Sequence, residues 1–157
     1  MAATSYAANM HSGVEPTTGV RARRARVLVI DDETAICRSL ERLLAKDNDV
    51  TVECDARRGA ALAALGGWDV VFCDLMMPGM TGMDLYEALA TTRPDVARRI
   101  VFMTAGSFSP RSWEFLETTE NRYLTKPFDP PALREAVAEL LGRSAAGQAE
   151  EVQSEPA

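Results

Sequence analysis

The chain has a single histidine, His11, near its N-terminus. Residues 26–141 therefore carry no imidazole. That excludes a Ser-His-Asp hydrolase, a His-ligated zinc enzyme and a histidine phosphodonor helix from the folded region. Cysteine is also scarce. Cys37, Cys54 and Cys73 form no C-x-x-C pair and no Cys/His cluster, so no zinc or dithiol motif is spelled out. Cys54 and Cys73 sit in apolar runs and read as core packers, and all three read as reduced thiols of a cytosolic protein. No apolar run approaches the length that spans a bilayer. The N-terminus lacks the h-region of a signal peptide, so neither membrane insertion nor export is expected. Positive charge is not in excess: the net charge is -6, which argues against a general nucleic-acid binder.

At 157 residues the chain is one domain with tails. Residues 1–24 lack periodicity and read as a disordered leader ending in a solvated basic run, Arg21 to Arg26. The folded domain is expected over residues 25–142. Residues 143–157 are polar and acidic and read as a disordered tail, with Gly142 stopping the last helix.

Within the domain, four short apolar runs each end in a polar residue. Arg26-Val27-Leu28-Val29-Ile30 runs into Asp31-Asp32, and Val70-Val71-Phe72-Cys73 into Asp74. Ile100-Val101-Phe102-Met103 runs into Thr104, and Tyr123-Leu124-Thr125 into Lys126-Pro127. Runs this short, rich in Val and Ile, read as buried strands. Val50 to Glu53 alternates and reads as an edge strand.

Between the strands lie helical patterns. Ile36, Leu40, Leu43 and Leu44 recur at helical spacing, with Asp32 as the expected cap and Glu33 in the first turn. Ala60 to Leu65 reads as a helix ended by Gly66-Gly67. Gly82 opens another, ended by Pro94. Ser109-Pro110 caps a fourth. Pro130-Pro131 starts the last, with Leu133, Val137, Leu140 and Leu141 on one face. Five β-α alternations give a parallel sheet covered by helices on both faces.

In an open parallel sheet the crevice outside the carboxyl ends of the strands binds ligands. That rim receives Asp31, Asp32, Asp74, Thr104 and Lys126. Three carboxylates placed together repel unless a cation intervenes. Mg²⁺ suits such a site, since it takes oxygen ligands from one or two carboxylates plus a phosphate. Lys126 supplies a fixed ammonium suited to a phosphate oxygen, and Thr104 a hydroxyl. These parts fit an Asp nucleophile that accepts a phosphoryl group.

On these residues the chain resembles the receiver domain of two-component response regulators. The resemblance is carried by Val27 to Glu33, by Cys73 to Gly82, by Met103-Thr104-Ala105 and by Tyr123 to Phe128, in the family's order and near its spacing. Each motif alone is common; the four together are specific. The resemblance spans about Arg26 to Leu141. It implies a flavodoxin-like (βα)5 fold, with a five-stranded parallel sheet in the order 2-1-3-4-5. It also implies roles. Asp74 would be the phosphoacceptor. Asp32, Asp74 and the backbone carbonyl of Met76 would ligate Mg²⁺, with Asp31 acting through a metal-bound water. Thr104 and Lys126 would contact the phosphoryl oxygens, Tyr123 would be the aromatic switch, and Lys126-Pro127 would be a cis peptide.

The implied donor is a sensor histidine kinase or a phosphotransfer protein. Met76, two residues after the acceptor, is apolar and cannot orient a hydrolytic water, so self-dephosphorylation is expected to be slow. No enzymatic turnover beyond that is expected. The stretch from Met103 to Glu117 looks more like receivers of hybrid sensor kinases than those joined to transcription factors. With no room for a DNA-binding unit after Leu141, the expectation is a stand-alone cytoplasmic regulator without direct DNA binding. Its output partner is not named by the sequence, and a homodimer is open to it.

Two other readings compete. One is a phosphate-independent receiver-like binding module, which the intact Asp, Thr and Lys set disfavours. The other is an Asp-nucleophile phosphatase of the haloacid-dehalogenase type. That pattern wants a second Asp two residues after the first, where this chain has Glu33 and Thr34.

Overall fold

A computed structural model describes residues 23–153, with side chains through Gly142. The leader expected over residues 1–24 lies almost wholly outside the described residues, as do the last four residues of the tail.

Five strands form one sheet: β1 (Ala25–Ile30), β2 (Asn48–Glu53), β3 (Val70–Asp74), β4 (Ile100–Thr104) and β5 (Tyr123–Thr125). The order is β2-β1-β3-β4-β5, and every pairing is parallel. This is the flavodoxin-like arrangement expected from the sequence, with β2 at one edge. The three central strands are almost entirely buried, as continuous apolar runs in a parallel sheet should be. Each fully buried Val, Leu, Ile or Phe contributes roughly 1.5–3 kcal/mol.

The helices are α1 (Thr34–Leu44), α2 (Ala56–Leu65), α3 (Gly82–Thr92), α4 (Pro94–Ala97), α5 (Pro110–Thr118) and α6 (Pro130–Gln153). The pleat sends alternate strand residues to opposite faces. Val27, Val29, Phe72, Val101 and Met103 meet α1 and α6 through Cys37, Leu40, Leu44, Leu133 and Val137. Leu28, Ile30, Val71, Cys73 and Phe102 meet α2 to α5 through Ala63, Met83, Leu85, Leu89 and Leu116. On that second face Tyr86, Phe102 and Phe115 pack edge to face, with centroids 5.1–5.9 Å apart.

Several expectations are corrected. Asp32 does not cap α1; Glu33 occupies the cap position and makes no side-chain cap bond. Instead Asp31 Oδ1 accepts from the Glu33 amide at 2.9 Å, which bends the chain out of β1. Helix α2 starts at Ala56, capped by Asp55, whose side chain accepts from the Arg58 amide. Pro94 ends α3 but also opens α4 from its first position, where its missing N–H costs nothing. Gly142 does not stop α6, which continues to Gln153. One glycine in a helix costs only about 1 kcal/mol, and the alanines and charged residues around it are good helix formers. Trp113 is 49% exposed and packs edge to face with Phe108.

Candidate phosphoacceptor site

Four strand ends converge at the carboxyl rim. β1 delivers Asp31 and Asp32, and β3 delivers Asp74. Register sets the rest: Asp74 pairs with Met103, which puts Thr104 one step beyond it, and Thr104 pairs with Thr125, just before Lys126. Carboxylate oxygens of Asp31, Asp32 and Asp74 lie within 4.8 Å of one another. Asp31 and Asp74 are buried, whereas Asp32 faces solvent. Lys126 Nζ reaches into the cluster, 2.7 Å from Asp31 Oδ2 and 3.2 Å from Asp74 Oδ1. Its backbone amide donates to the Thr104 carbonyl at 2.7 Å, and the Lys126-Pro127 peptide is cis.

The electrostatics are those of crowded carboxyls. Burial and the neighbouring Asp31 charge push the Asp74 carboxyl up to about 6, against the pull of Lys126. Burial also raises Asp31, although its ion pair with Lys126 and the bond it accepts from the Glu33 amide oppose this. For Lys126, burial works against the charged form, but the ion pair with Asp31 and the charges of Asp74 and Asp31 outweigh it and raise the ammonium. One ammonium faces two buried carboxylates and cannot neutralise both.

A divalent cation fits this donor set. Asp31 Oδ2 is buried and, despite its contact with Lys126, has no hydrogen bond of good geometry. Its lone pairs, with those of the exposed Asp32 and of Asp74, are oxygen donors of the kind Mg²⁺ takes.

The loop after β3 holds Asp74 in place. The Leu75 amide donates to Met103 O at 2.8 Å, and the Gly82 amide to Leu75 O at 2.9 Å. A Cβ at Gly82 would lie 2.5 Å from the Asp74 carbonyl oxygen, so α3 can begin here only with glycine. A capping box between Thr81 and Asp84 then fixes the helix start. Met76 projects from this loop with 51% exposure. Thr104 is buried, and its hydroxyl accepts from the Gly106 amide at 3.2 Å.

Of the residues singled out from sequence, Asp31, Asp32, Asp74 and Lys126 are brought together, and Thr104 sits at the adjoining strand end. Tyr123 is not part of the cluster. It lies opposite Phe102 at the start of β5 and is 42% exposed. Two participants escaped the sequence reading. Glu33 Oε1 lies 3.4 Å from Lys126 Nζ; its place right after Asp32 was the available signal. Gly82 is required by close backbone approach, which a glycine at a helix start hints at but does not specify.

The family model of the response regulator receiver domain matches residues 27–138. The chain belongs to that family. Among curated proteins it is 31% identical over 121 residues to the uncharacterized transcriptional regulatory protein YkoG of Bacillus subtilis, covering 76% of this chain and 49% of that one. It is 36% identical over 116 residues to the uncharacterized response regulatory protein VV1_0503 of Vibrio vulnificus, covering 72% and 46%. This receiver chain thus spans about half the length of the curated relatives it matches. Among solved structures, a CheY-like receiver domain protein from Methanospirillum hungatei superposes with a TM-score of 0.70 at 27% identity, covering 80% of this chain and 99% of that one. The receiver domain of sensor histidine kinase PA1611 from Pseudomonas aeruginosa, solved with magnesium in its active-site cleft, shares the fold at 20% identity, with a TM-score of 0.68 and coverage of 76% and 99%. Receiver domains act in two-component phosphorylation signalling, bind Mg²⁺ at their acidic pocket, and interact with histidine kinases or phosphotransfer proteins.

Proposed function

We propose that this receiver takes a phosphoryl group onto Asp74 from the phosphohistidine of a sensor histidine kinase or phosphotransfer protein. The observation that carries this is the placement of Asp74: buried at the end of β3, beside Asp31 and Asp32, with Lys126 Nζ at 3.2 Å. An Asp74 oxygen attacks phosphorus as the N–P bond of the donor breaks, and the imidazole leaves. Lys126 holds a phosphoryl oxygen, and the Thr104 hydroxyl another. Asp32, Asp74 and the Met76 carbonyl, with Asp31 beside them, would hold Mg²⁺, and the ion would supply positive charge against the carboxylates and the incoming phosphate.

The phosphoryl group then draws Thr104 away from the Gly106 amide, and Tyr123 turns into the space released. The surface of α5, β5 and α6 shifts toward a second state that a partner, or a second copy of the chain, recognises. Thermodynamically this is a population shift. The protein performs no turnover beyond taking up and slowly losing its own phosphate. The apolar Met76 side chain offers no group to orient an attacking water, so the adduct is long-lived. Relatives include transcriptional regulators, yet the negative charge of this chain opposes direct DNA contact. No helix among the described residues is long and apolar enough to cross a membrane, which supports a cytoplasmic regulator.

Incubation with Mg²⁺ and acetyl phosphate, followed by intact mass, tests the proposal. One phosphoryl increment, absent from Asp74→Asn, is the expected result. Continuous hydrolysis of phosphate esters would mean a phosphatase instead, and no increment would mean a phosphate-independent binding module.

A further inference from the structure

Two of the three thiols meet beside the acid pocket. Cys37 lies on the buried face of α1 and Cys54 directly follows β2, and their sulfurs are 3.1 Å apart. Cys37 Sγ also donates to the Asp31 backbone carbonyl at 3.1 Å. The pair therefore touches the strand end that presents the acids. Access is unequal: Cys37 is buried, while Cys54 is half-buried. Cys73 is fully buried on the opposite face of the sheet, its sulfur 3.4 Å from the Asp74 carbonyl.

We propose that Cys37 and Cys54 form a redox modification site, closed to a disulfide by a hydroperoxide, and that closure acts on the adjoining acid pocket through Asp31. Cys54, the accessible thiol, attacks the terminal peroxide oxygen. The O–O bond breaks, the remaining alkoxide or hydroxide leaves with the thiol proton, and Cys54 becomes a sulfenic acid. The Cys37 sulfur then attacks the Cys54 sulfur. The S–S bond forms, the S–O bond breaks, and hydroxide departs as water with the Cys37 proton. In sum, two thiols yield two electrons and two protons to one hydroperoxide. A disulfide needs the sulfurs about 2.0 Å apart, so they close by about 1 Å. The crosslink ties α1 to the end of β2 and removes the S–H donor from the Asp31 carbonyl. Partners of this kind, one step behind a metal-holding group, commonly alter metal affinity or activity by 10–100-fold. The crosslink stands on geometry alone, whereas its effect on the pocket rests on the receiver reading.

The experiment treats the full chain with hydrogen peroxide, alkylates the remaining thiols, and reads non-reducing intact mass and linked peptides. Expected is a loss of two hydrogens, a single Cys37–Cys54 peptide and reversal by dithiothreitol. Cys54→Ser, at the more exposed position, should abolish it, and Cys73→Ser should leave it intact. Sulfinic acid at Cys54 with Cys37 still alkylated, or linkage only between two chains, would overturn the site. Oxidised protein should then take phosphate from acetyl phosphate about tenfold more slowly than reduced protein. Equal rates overturn the coupling. A reduced protein that takes no phosphate overturns the phosphoacceptor reading and the coupling with it, while the mass result still decides the crosslink.

Discussion

Asp74→Asn should stabilise the metal-free protein while abolishing its function. The Asp74 carboxyl is raised from 3.8 to about 6 by burial and by Asp31, which corresponds to about 3 kcal/mol of unfavourable interaction for its charged form. The folded protein thus holds this proton more tightly than the unfolded chain. Stability falls as pH rises between about 4 and 6, and the full cost is present above about pH 6. Asparagine keeps the shape and removes the charge. Lys126 loses one partner but keeps Asp31 at 2.7 Å, so the net gain should be about 1–3 kcal/mol. Urea unfolding at about pH 8 in chelator should show it, along with a melting point several degrees higher. Near pH 4 the wild-type carboxyl is already protonated and the two proteins should converge. Added Mg²⁺ neutralises the same repulsion, so it should stabilise wild type more than the variant. A variant less stable than wild type at about pH 8, or a gain that persists unchanged at about pH 4, would refute the claim that Asp74 is held charged at a cost.

Lys126→Ala leaves two buried carboxylates with no cation and should cost about 3 kcal/mol near pH 8, and less in acid as they protonate; urea titrations at both pH values check this. Gly82→Ala places a methyl group 2.5 Å from the Asp74 carbonyl oxygen and 3.1 Å from Leu75 Cα. Backbone cannot yield cheaply there, so a loss of about 1–3 kcal/mol and slower phosphorylation are expected by calorimetry and acetyl phosphate labelling. Thr104→Ala should still take phosphate but lose the change at α5, β5 and α6 seen by hydrogen exchange; a full change without the hydroxyl would count against the switch. Met76→Asn should shorten the life of the phosphoprotein, followed by phosphate release, and an unchanged or longer life would remove the role given to Met76.

What was legible in the sequence was whatever repeats locally. Three Val- and Ile-rich runs and Tyr123-Leu124-Thr125, each ending at a polar residue, mark four of the five strands. Parallel topology then forces strand ends to one rim, so the sequence alone groups Asp31, Asp74, Thr104 and Lys126. Helix limits were less legible. The four residues of α4 are too few for a period to show. The start of α2 is masked by Arg57, Arg58 and Gly59, and Gly59 looks like a breaker. It belongs there because a Cβ would lie 2.5 Å from Ile30 Cγ2, a contact between elements far apart in sequence. The same holds for Gly82 against Asp74 and for Cys37 against Cys54. Tyr123, the expected aromatic switch, lies at the start of the three-residue edge strand β5 and is 42% exposed.

The charge repulsion at the rim also limits how the proposed switch can work. Moving a two-state equilibrium from 1:99 to 99:1 needs about 5.5 kcal/mol of difference in binding between the states. The roughly 3 kcal/mol held against the charged Asp74 carboxyl is a tempting source. However, phosphorylation and a cation relieve that repulsion wherever Asp74, Asp31 and Asp32 sit together, and those residues are anchored to the central strands β1 and β3. Relief that is equal in both conformations shifts nothing. The discriminating contact must come from a group that can exchange partners. Lys126 is already committed to Asp31 and Asp74 at 2.7 and 3.2 Å. The Thr104 hydroxyl accepts from the Gly106 amide at 3.2 Å, and on leaving that amide it can donate a stronger, charge-assisted bond to a phosphoryl oxygen. On this argument the acids and Lys126 set how readily the phosphate is taken up, and Thr104 decides whether the surface responds. Substitutions at the two places should therefore separate phosphorylation from output.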